Sequence, residues 1–371
     1  MKNMKNLLIA VTLCSVLASC TKTTERFILT GTVKNKSEKP VVSATIQLVG
    51  TTNLTATSGP NGEFTFQEAE SGNYQVTVNA TGYTQLNQSV SLTSAQTLTL
   101  KIDGPVNING TVVDSQSATG LGGATVSFYS GLTSAPATGV PSDLVATTTS
   151  TGSYNVSGAP TGSFLGVIEV SGNYSRTFGP ITFTAGGTVT IPPQVSVTKV
   201  TSGQFRAVLT WGINPIELDT HVTGPVSAGS STRFHMYWSA LLANATVTLD
   251  TDDKQTPGPE TTTFKNLVTG TYRYSVYNYS DALTTGALGI FNSPAVVELY
   301  DVNGLVQKYT APTASSGSGN TWKVFQINVS SSIGSSPSVI GTYSQVTNES
   351  DGTQFRVGSS KVGEKFKVED F

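Results

Sequence analysis

Cysteine and histidine are nearly missing from this 371-residue chain, which has two of each. Cys14 sits inside an apolar N-terminal run and Cys20 closes it, so the body of the protein has no disulfide framework and no thiol for catalysis or metal binding. No HExxH, GxSxG elbow, phosphate loop or dinucleotide fingerprint occurs, which removes the commonest sequence grounds for an enzyme. Charge is scarce as well. Charged residues are 12% of the chain, about half the ~25% of ordinary globular proteins. The formal net charge of −2 leaves no electrostatic footprint for nucleic acid. Past the N-terminus no window keeps a helical period. What remains is a Ser-, Thr-, Gly- and Val-rich chain whose stability rests on burial, with the composition of extracytoplasmic β-structure.

The N-terminus reads MKNMKNLLIAVTLCSVLASC. Lys2 and Lys5 precede an apolar run from Leu7 to Leu17, the pattern of a secretory signal. The run is shorter than the ~20 apolar residues that a membrane-crossing helix needs. Leu17-Ala18-Ser19-Cys20 resembles the bacterial lipobox. The resemblance implies a signal peptide over 1–19, cleavage before Cys20, lipid on that cysteine and a short tether over 20–27. Acyl chains hold a protein at a bilayer without embedding it, so the membrane is a partner through lipid alone. Thr21, standing where an Asp would retain the protein at the inner membrane, implies an outer-membrane lipoprotein.

Short alternating segments fill the next part: FILTGTV, SATIQLVG, GEFTF, NYQVTVNA and LTLKI, each bounded by Gly, Pro, Asn or Ser. Evenly spaced short strands with turn signals predict sandwiches or small barrels. The pattern then repeats. Gly31-Thr32-Val33 recurs as Gly110-Thr111-Val112, Ala44-Thr45-Ile46 as Ala124-Thr125-Val126, and Gly62-Glu63-Phe64 as Gly152-Ser153-Tyr154. Two tandem modules of one fold follow. On GTV, PVVSATIQLVG, TSGPNGEFTF and SGNYQVTVNATGY, residues 28–103 resemble the carboxypeptidase regulatory-like domain. That implies a seven-stranded prealbumin-like sandwich, a spacer and binding module with no peptidase activity of its own, with Tyr74 and Tyr83 in its core. Residues 104–200 make the second copy. IPPQVSVTKVTSG marks the next boundary. The predicted fold class is all-β, with three tandem β-sandwich (Ig-like or prealbumin-like) domains; residues 201–330 form the third, and 331–371 a Ser/Gly-rich linker and tail.

The third part holds both histidines. On a strand, Asp219 and His221 of LDTHV share one face opposite Leu218, Thr220 and Val222. In RFHMYW, the apolar Phe234, Met236 and Trp238 oppose Arg233, His235 and Tyr237. In TVTLDTDD, Val247 and Leu249 point inward, with Asp250 and Asp252 on the other side. Together with GPE and the closing TWKVF, these motifs resemble a bacterial β-sandwich domain of undefined function, a resemblance that implies a fold and no substrate.

Three chemistries fit these residue types. Asp250, Asp252, Asp253 and Glu260 in one strand-to-loop segment suit calcium, which takes 6–8 oxygen ligands, although the spacing is not that of an EF-hand. Asp219, His221 and His235 with a water suit zinc. A hydrogen-bonded polar network needs no ion: Asp219 orienting His221, Arg233 pairing with Asp250, and the Gly-Pro-Glu turn capped by its own carboxylate. Arg233, Tyr237, Tyr277 and Tyr279 are candidate ligand contacts, the tyrosines offering stacking surface. The expectation is a non-enzymatic lipoprotein of the cell envelope. Two spacer modules present a third domain to a glycan or an envelope or surface protein; the alternatives are a purely structural stalk or a metal-dependent hydrolase.

Overall fold

A computed structural model describes residues 25–184, 187–243, 246–254, 258–280, 290, 293–311, 321–330, 338–339 and 346–347. The signal peptide, Cys20 and most of the C-terminal 331–371 segment lie outside these. The described residues are all-β, and they form tandem sandwiches.

The first sandwich comprises β1 (Arg26–Lys34), β2 (Thr45–Gly50), β3 (Leu54–Thr57), β4 (Glu63–Glu70), β5 (Gly72–Asn79), β6 (Leu86–Leu92) and β7 (Gln96–Lys101). One sheet runs β4-β1-β7, with β1 and β7 parallel, and the other β3-β2-β5-β6. Alternation decides the faces. On β5, Tyr74, Val76 and Val78 are buried while Gln75 and Asn79 are exposed. They meet Leu29, Ile46, Leu48, Phe64 and Phe66 in the core. Tyr83, expected in that core, is only half-buried and falls in the turn after β5.

The second sandwich repeats the plan with each strand advanced by seven: β8 (Val106–Asp114), β9 (Thr125–Ser130), β10 (Leu144–Thr147), β11 (Ser153–Ala159), β12 (Gly162–Glu169), β13 (Arg176–Phe183) and β14 (Gly187–Thr190). Its sheets run β11-β8-β14 and β10-β9-β12-β13. Gly62 and Gly152, paired by the repeat, both stand at positive φ, 76° and 77°. An extra strand, β15 (Gln194–Ser196), lies parallel to the end of β8.

The third sandwich contains β16 (Phe205–Thr210), β17 (Leu218–Pro225), β18 (Arg233–Met236), β19 (Leu242–Ala243), β20 (Val247–Thr251), β21 (Glu260–Phe264), β22 (Gly270–Asn278), β23 (Val296–Asp301), β24 (Gly304–Thr310) and β25 (Thr321–Val329). Two short strands of the C-terminal segment, β26 (Ser338–Val339) and β27 (Val346–Thr347), pair with β25. The sheets run β19-β20-β21-β16-β23-β24 and β18-β17-β22-β25-β26. Between them Trp211, Leu218, Val222, Met236, Phe264, Tyr272, Tyr274, Val297, Trp322 and Phe325 form one core.

The chain divides into two compact units: the first sandwich falls within Met1–Lys34, Pro40–Ala80 and Gln85–Ile102, and the second and third share the other. Within that second unit the joint is packed. Tyr174, Val195 and Val197 of the second module meet Val208 and Tyr300 of the third domain in a separate buried cluster. The Tyr174 and Tyr300 rings stack at 5.1 Å, and Tyr174 Oη donates to the Asp301 carbonyl at 2.6 Å. Arg176 on β13 pairs with Glu298 on β23, both largely buried. Thr261 Oγ1 donates to the Ser115 carbonyl, and the Arg206 guanidinium to the Thr198 carbonyl at 2.6 Å. One sheet of the third domain is therefore covered on both faces, which is why β21 is buried throughout and β16 along Phe205–Leu209 instead of alternating.

Candidate functional site

All eight residues of β17 are buried, whereas alternation predicted that Asp219 and His221 would face outward. The cause is the neighbourhood: β22 flanks β17 along Leu218–Thr223 and β18 along Val222–Pro225. The β17–β18 ladder stops at Val222↔Met236. Beyond it the Thr220 N–H donates to Glu260 Oε2 at 2.7 Å, while the Thr220 hydroxyl meets Tyr274 Oη at 3.0 Å. Glu260 opens β21 in the facing sheet and is fully buried. Its carboxylate thus caps a strand of the opposite sheet; it does not cap its own turn as the sequence suggested.

Asp219, Asp252 and Glu260 converge, each offering an oxygen within 4.8 Å of the other two. Asp219 is 2% exposed and Glu260 0%, with Asp252 half-buried. Asp219 Oδ2, Asp252 Oδ1 and Glu260 Oε1 are buried and have no hydrogen-bond partner. Burial pushes the Asp219 carboxyl well above the usual carboxylate range, and the charges of Glu217 and Asp252 push it further. Burial raises Glu260 strongly too, with Asp219 adding to it and the Thr220 bond opposing. Asp252 is raised by burial and drawn back by Lys254 and the Glu260 carboxyl. Lys254 Nζ stands 4.0 Å from Asp252 Oδ2, on a side chain 67% exposed.

Asp250 does not join them, although alternation places it on one face with Asp252. The pairing of β20 with β21 slips between Leu249↔Thr262 and Thr251↔Thr261, so Asp250 is the extra residue of a bulge and its direction is reset. It accepts from Thr263 Oγ1 and from Gln116 Nε2 of the second module. Burial raises its carboxyl, and those bonds and the nearby Arg206 lower it. The predicted Arg233–Asp250 pair is therefore absent from the arrangement. Arg233 instead donates to the carbonyl and Oγ1 of Thr223, both at 2.9 Å. Asp253 is half-buried beside Asp252 and is not one of the three convergent acids.

The histidines do meet, but apart from the acids. His221 Nδ1 lies 2.8 Å from His235 Nε2, so His221 is oriented by the other imidazole and not by Asp219. Tyr237 stacks on both rings, at 4.7 Å from His235 and 5.8 Å from His221, and Tyr277 meets His221 edge-on at 5.5 Å. Burial holds both histidines neutral, His221 well below its ordinary value and His235 at about 4. A zinc set of Asp219, His221 and His235 would need their donor atoms to converge, and the convergent group among the described residues is Asp219, Asp252 and Glu260 instead.

Of the tyrosines expected to contact a ligand, Tyr277 is 1% exposed, because β22 is covered on both faces from Tyr274 onward. Tyr237 and Tyr279 are half-buried. The exposed apolar side chains at this end are Ile213 and Ile216, in the loop that leads into β17. The role of Thr220 escaped the sequence reading, since a strand amide carries no side-chain signal. The Gln116 contact escaped it as well, coming from 134 residues away.

Residues 28–103 match the family model of the carboxypeptidase regulatory-like domain, which covers the first sandwich alone. No curated protein gives a significant match. Among solved structures, the chain is similar to the Bacillus anthracis TIE protein, at 13% identity over 67% of this chain and 44% of that one, with a TM-score of 0.22. It is also similar to GBS52, the minor pilin of Streptococcus agalactiae, at 15% identity over 47% and 97%, with a TM-score of 0.22. A putative carbohydrate binding protein from Pseudomonas aeruginosa aligns at 13% identity over 22% and 92%, with a TM-score of 0.19. This chain spans less than half of the TIE protein and 58% of a cohesin–X-dockerin chain from Acetivibrio cellulolyticus. Such TM-scores carry no argument about function.

Proposed function

We propose that this protein is a non-catalytic lipoprotein of the cell envelope, tethered through Cys20, whose two regulatory-like modules present the third sandwich to a protein partner. The lipobox-like Leu17-Ala18-Ser19-Cys20 supports the tether. The observation that carries the presenting role is the joint in the second unit. A buried aromatic stack, a largely buried ion pair and a run of side chain-to-backbone hydrogen bonds make the second module and the third domain one body. Modules strung on flexible linkers bury no such surface between them. In chain order the third domain comes last, after both modules.

Protein is favoured over glycan as the partner. Tyr277 is in the core and Tyr237 is stacked on two imidazoles, which leaves the half-buried Tyr279 as the one remaining tyrosine candidate, whereas Ile213 and Ile216 stand 81% and 62% exposed. The site's two imidazoles are bonded to each other, and the chain carries no GxSxG elbow to supply a serine nucleophile.

Membrane fractionation tests the reading. The wild-type protein is expected in the outer-membrane fraction and the Cys20→Ala variant in the soluble fraction with an unchanged melting temperature. Wild-type protein recovered wholly in the soluble fraction would refute the tether.

A further inference from the structure

We propose that the third domain binds one calcium ion between Asp219, Asp252 and Glu260. This inference stands on two strands and a loop of one sandwich and is independent of where the protein is anchored.

The first observation is convergence. The acids come from three separated places, the start of β17, the loop after β20 and the start of β21, and each still brings an oxygen within 4.8 Å of the others. Two oxygens bound to one calcium are at most two bond lengths apart, ~4.6–5.2 Å. The second observation is independent of the clustering. Glu260, one of the convergent acids, is fully buried, and while one of its oxygens is fixed by the Thr220 amide, the other is buried with no partner. Asp219 Oδ2 and Asp252 Oδ1 are in the same condition.

Buried carboxylate oxygens that lack donors are costly, and three side by side compound the cost by mutual repulsion. Lys254 does not remedy this, because it is mostly exposed and approaches the other oxygen of Asp252. A divalent cation answers all three oxygens at once. The choice among cations follows from the donors. They are oxygens only, no histidine being among the convergent groups, which disfavours zinc. Magnesium demands near-octahedral bonds of ~2.0–2.1 Å, spanning at most ~4.2 Å between opposite oxygens, and parts reluctantly with its waters. Calcium accepts irregular sites and completes 6–8 ligands with waters and carbonyls. The competing arrangement without an ion is a set of carboxyls sharing protons, with Asp252 against Glu260 as its natural pair.

The test uses the chain without its first 20 residues, stripped with EDTA and dialysed. Calcium chloride, magnesium chloride and zinc chloride are titrated separately by calorimetry and followed by thermal melting. The expected result is one calcium site and a melting temperature raised by roughly 3–6 °C at a hundredfold excess over Kd. Asp219→Asn and Glu260→Gln should each weaken calcium binding at least ~10-fold, since affinity follows ligand charge. Glu260→Gln keeps an acceptor for the Thr220 amide, so its melting temperature in EDTA confirms that the fold survives. Asp250→Asn, on the bulge and outside the cluster, should bind calcium as the wild type does. Absence of calcium-dependent heat and melting shift in the wild type would overturn the proposal in favour of shared protons. So would an equal response to magnesium, or calcium binding that survives both substitutions in one chain.

Discussion

The backbone N–H of Thr220 and Oε2 of Glu260 are 2.7 Å apart, and this bond ties one sheet of the third sandwich to the other through buried groups. Its loss leaves a strand amide without a partner at the point where β18 has already turned away. Glu260→Ala should therefore destabilise the second unit by about 1–3 kcal/mol, the cost of an unsatisfied buried donor. Glu260→Gln in EDTA keeps the acceptor and removes a charge from an acid-rich core, so it should be as stable as the wild type or more so. Urea unfolding of the three proteins in EDTA checks this; equal losses in both variants would show that the charge and not the acceptor matters.

The joint between Arg176 and Glu298 should behave as a buried ion pair does. Glu298 also accepts from Tyr300 Oη at 2.8 Å and lies 3.9 Å from Lys308, so it is held from several sides. Arg176→Met strands that carboxylate at 11% exposure and should cost about 2–4 kcal/mol. The double variant Arg176→Met/Glu298→Leu should lose less than Arg176→Met alone, because an apolar pair needs no solvation. Urea unfolding and limited proteolysis between residues 198 and 205 measure both the stability and the opening of the joint. Additive losses would mean that the two side chains do not interact.

Much of this architecture was legible in the sequence because it depends on local alternation. Tyr74, Val76 and Val78 declare the buried face of β5, and Gly62 declares the turn before β4, which recurs at Gly152 in the second copy. The site was only half legible. The strand reading offers His221 and His235 to one zinc set, and the two rings meet each other; Asp250 and Asp252 share one face under a strict period of two, which a single extra residue at Asp250 breaks. Tyr277 is a ligand-contact candidate by residue type and is nevertheless buried, because alternation says which side a residue points to and not whether that side is covered. The acids Asp219, Asp252 and Glu260 meet through register between β17, β20 and β21, a long-range property that no local window carries.

The repeated turn glycines should be costly to replace in parallel. A Cβ on Gly62 would sit 2.4 Å from the Val33 carbonyl oxygen, and one on Gly152 2.3 Å from that of Val112. Both also hold positive φ. Gly172 has a similar φ of 83° but nothing within 4 Å of its Cβ position. Gly172→Ala should then cost only the backbone strain, about 1–2 kcal/mol, and Gly62→Ala and Gly152→Ala distinctly more. Each should lower the transition of its own unit alone, Gly62→Ala that of the first and Gly152→Ala that of the second. Differential scanning calorimetry with two resolved transitions reads this directly, and a Gly62→Ala effect no larger than that of Gly172→Ala would remove the clash from the account.

The histidine pair predicts an acid sensitivity with a definite sign. Burial holds His235 at about 4, below its ordinary 6.5, with the neutral His221 ring of β17 against one nitrogen, Tyr237 stacked on its face and Arg233 two residues before it on the same strand. Between these two values the unfolded chain takes a proton that the folded chain refuses, so stability falls as pH drops from 6.5 toward 4. Above 6.5 both states are neutral at this position and the contribution is flat. The span corresponds to a loss on the order of 2–3 kcal/mol. His235→Gln keeps a hydrogen-bonding group near the position of Nε2 but cannot titrate. The wild type should therefore lose stability relative to this variant as the pH is lowered, with EDTA held constant so that the nearby acids stay in one state of ligation. Proton-linked denaturation curves of the two proteins measure that difference. A gap independent of pH would mean that His235 titrates alike in the folded and unfolded chains, and that its burial against His221 does not keep it neutral.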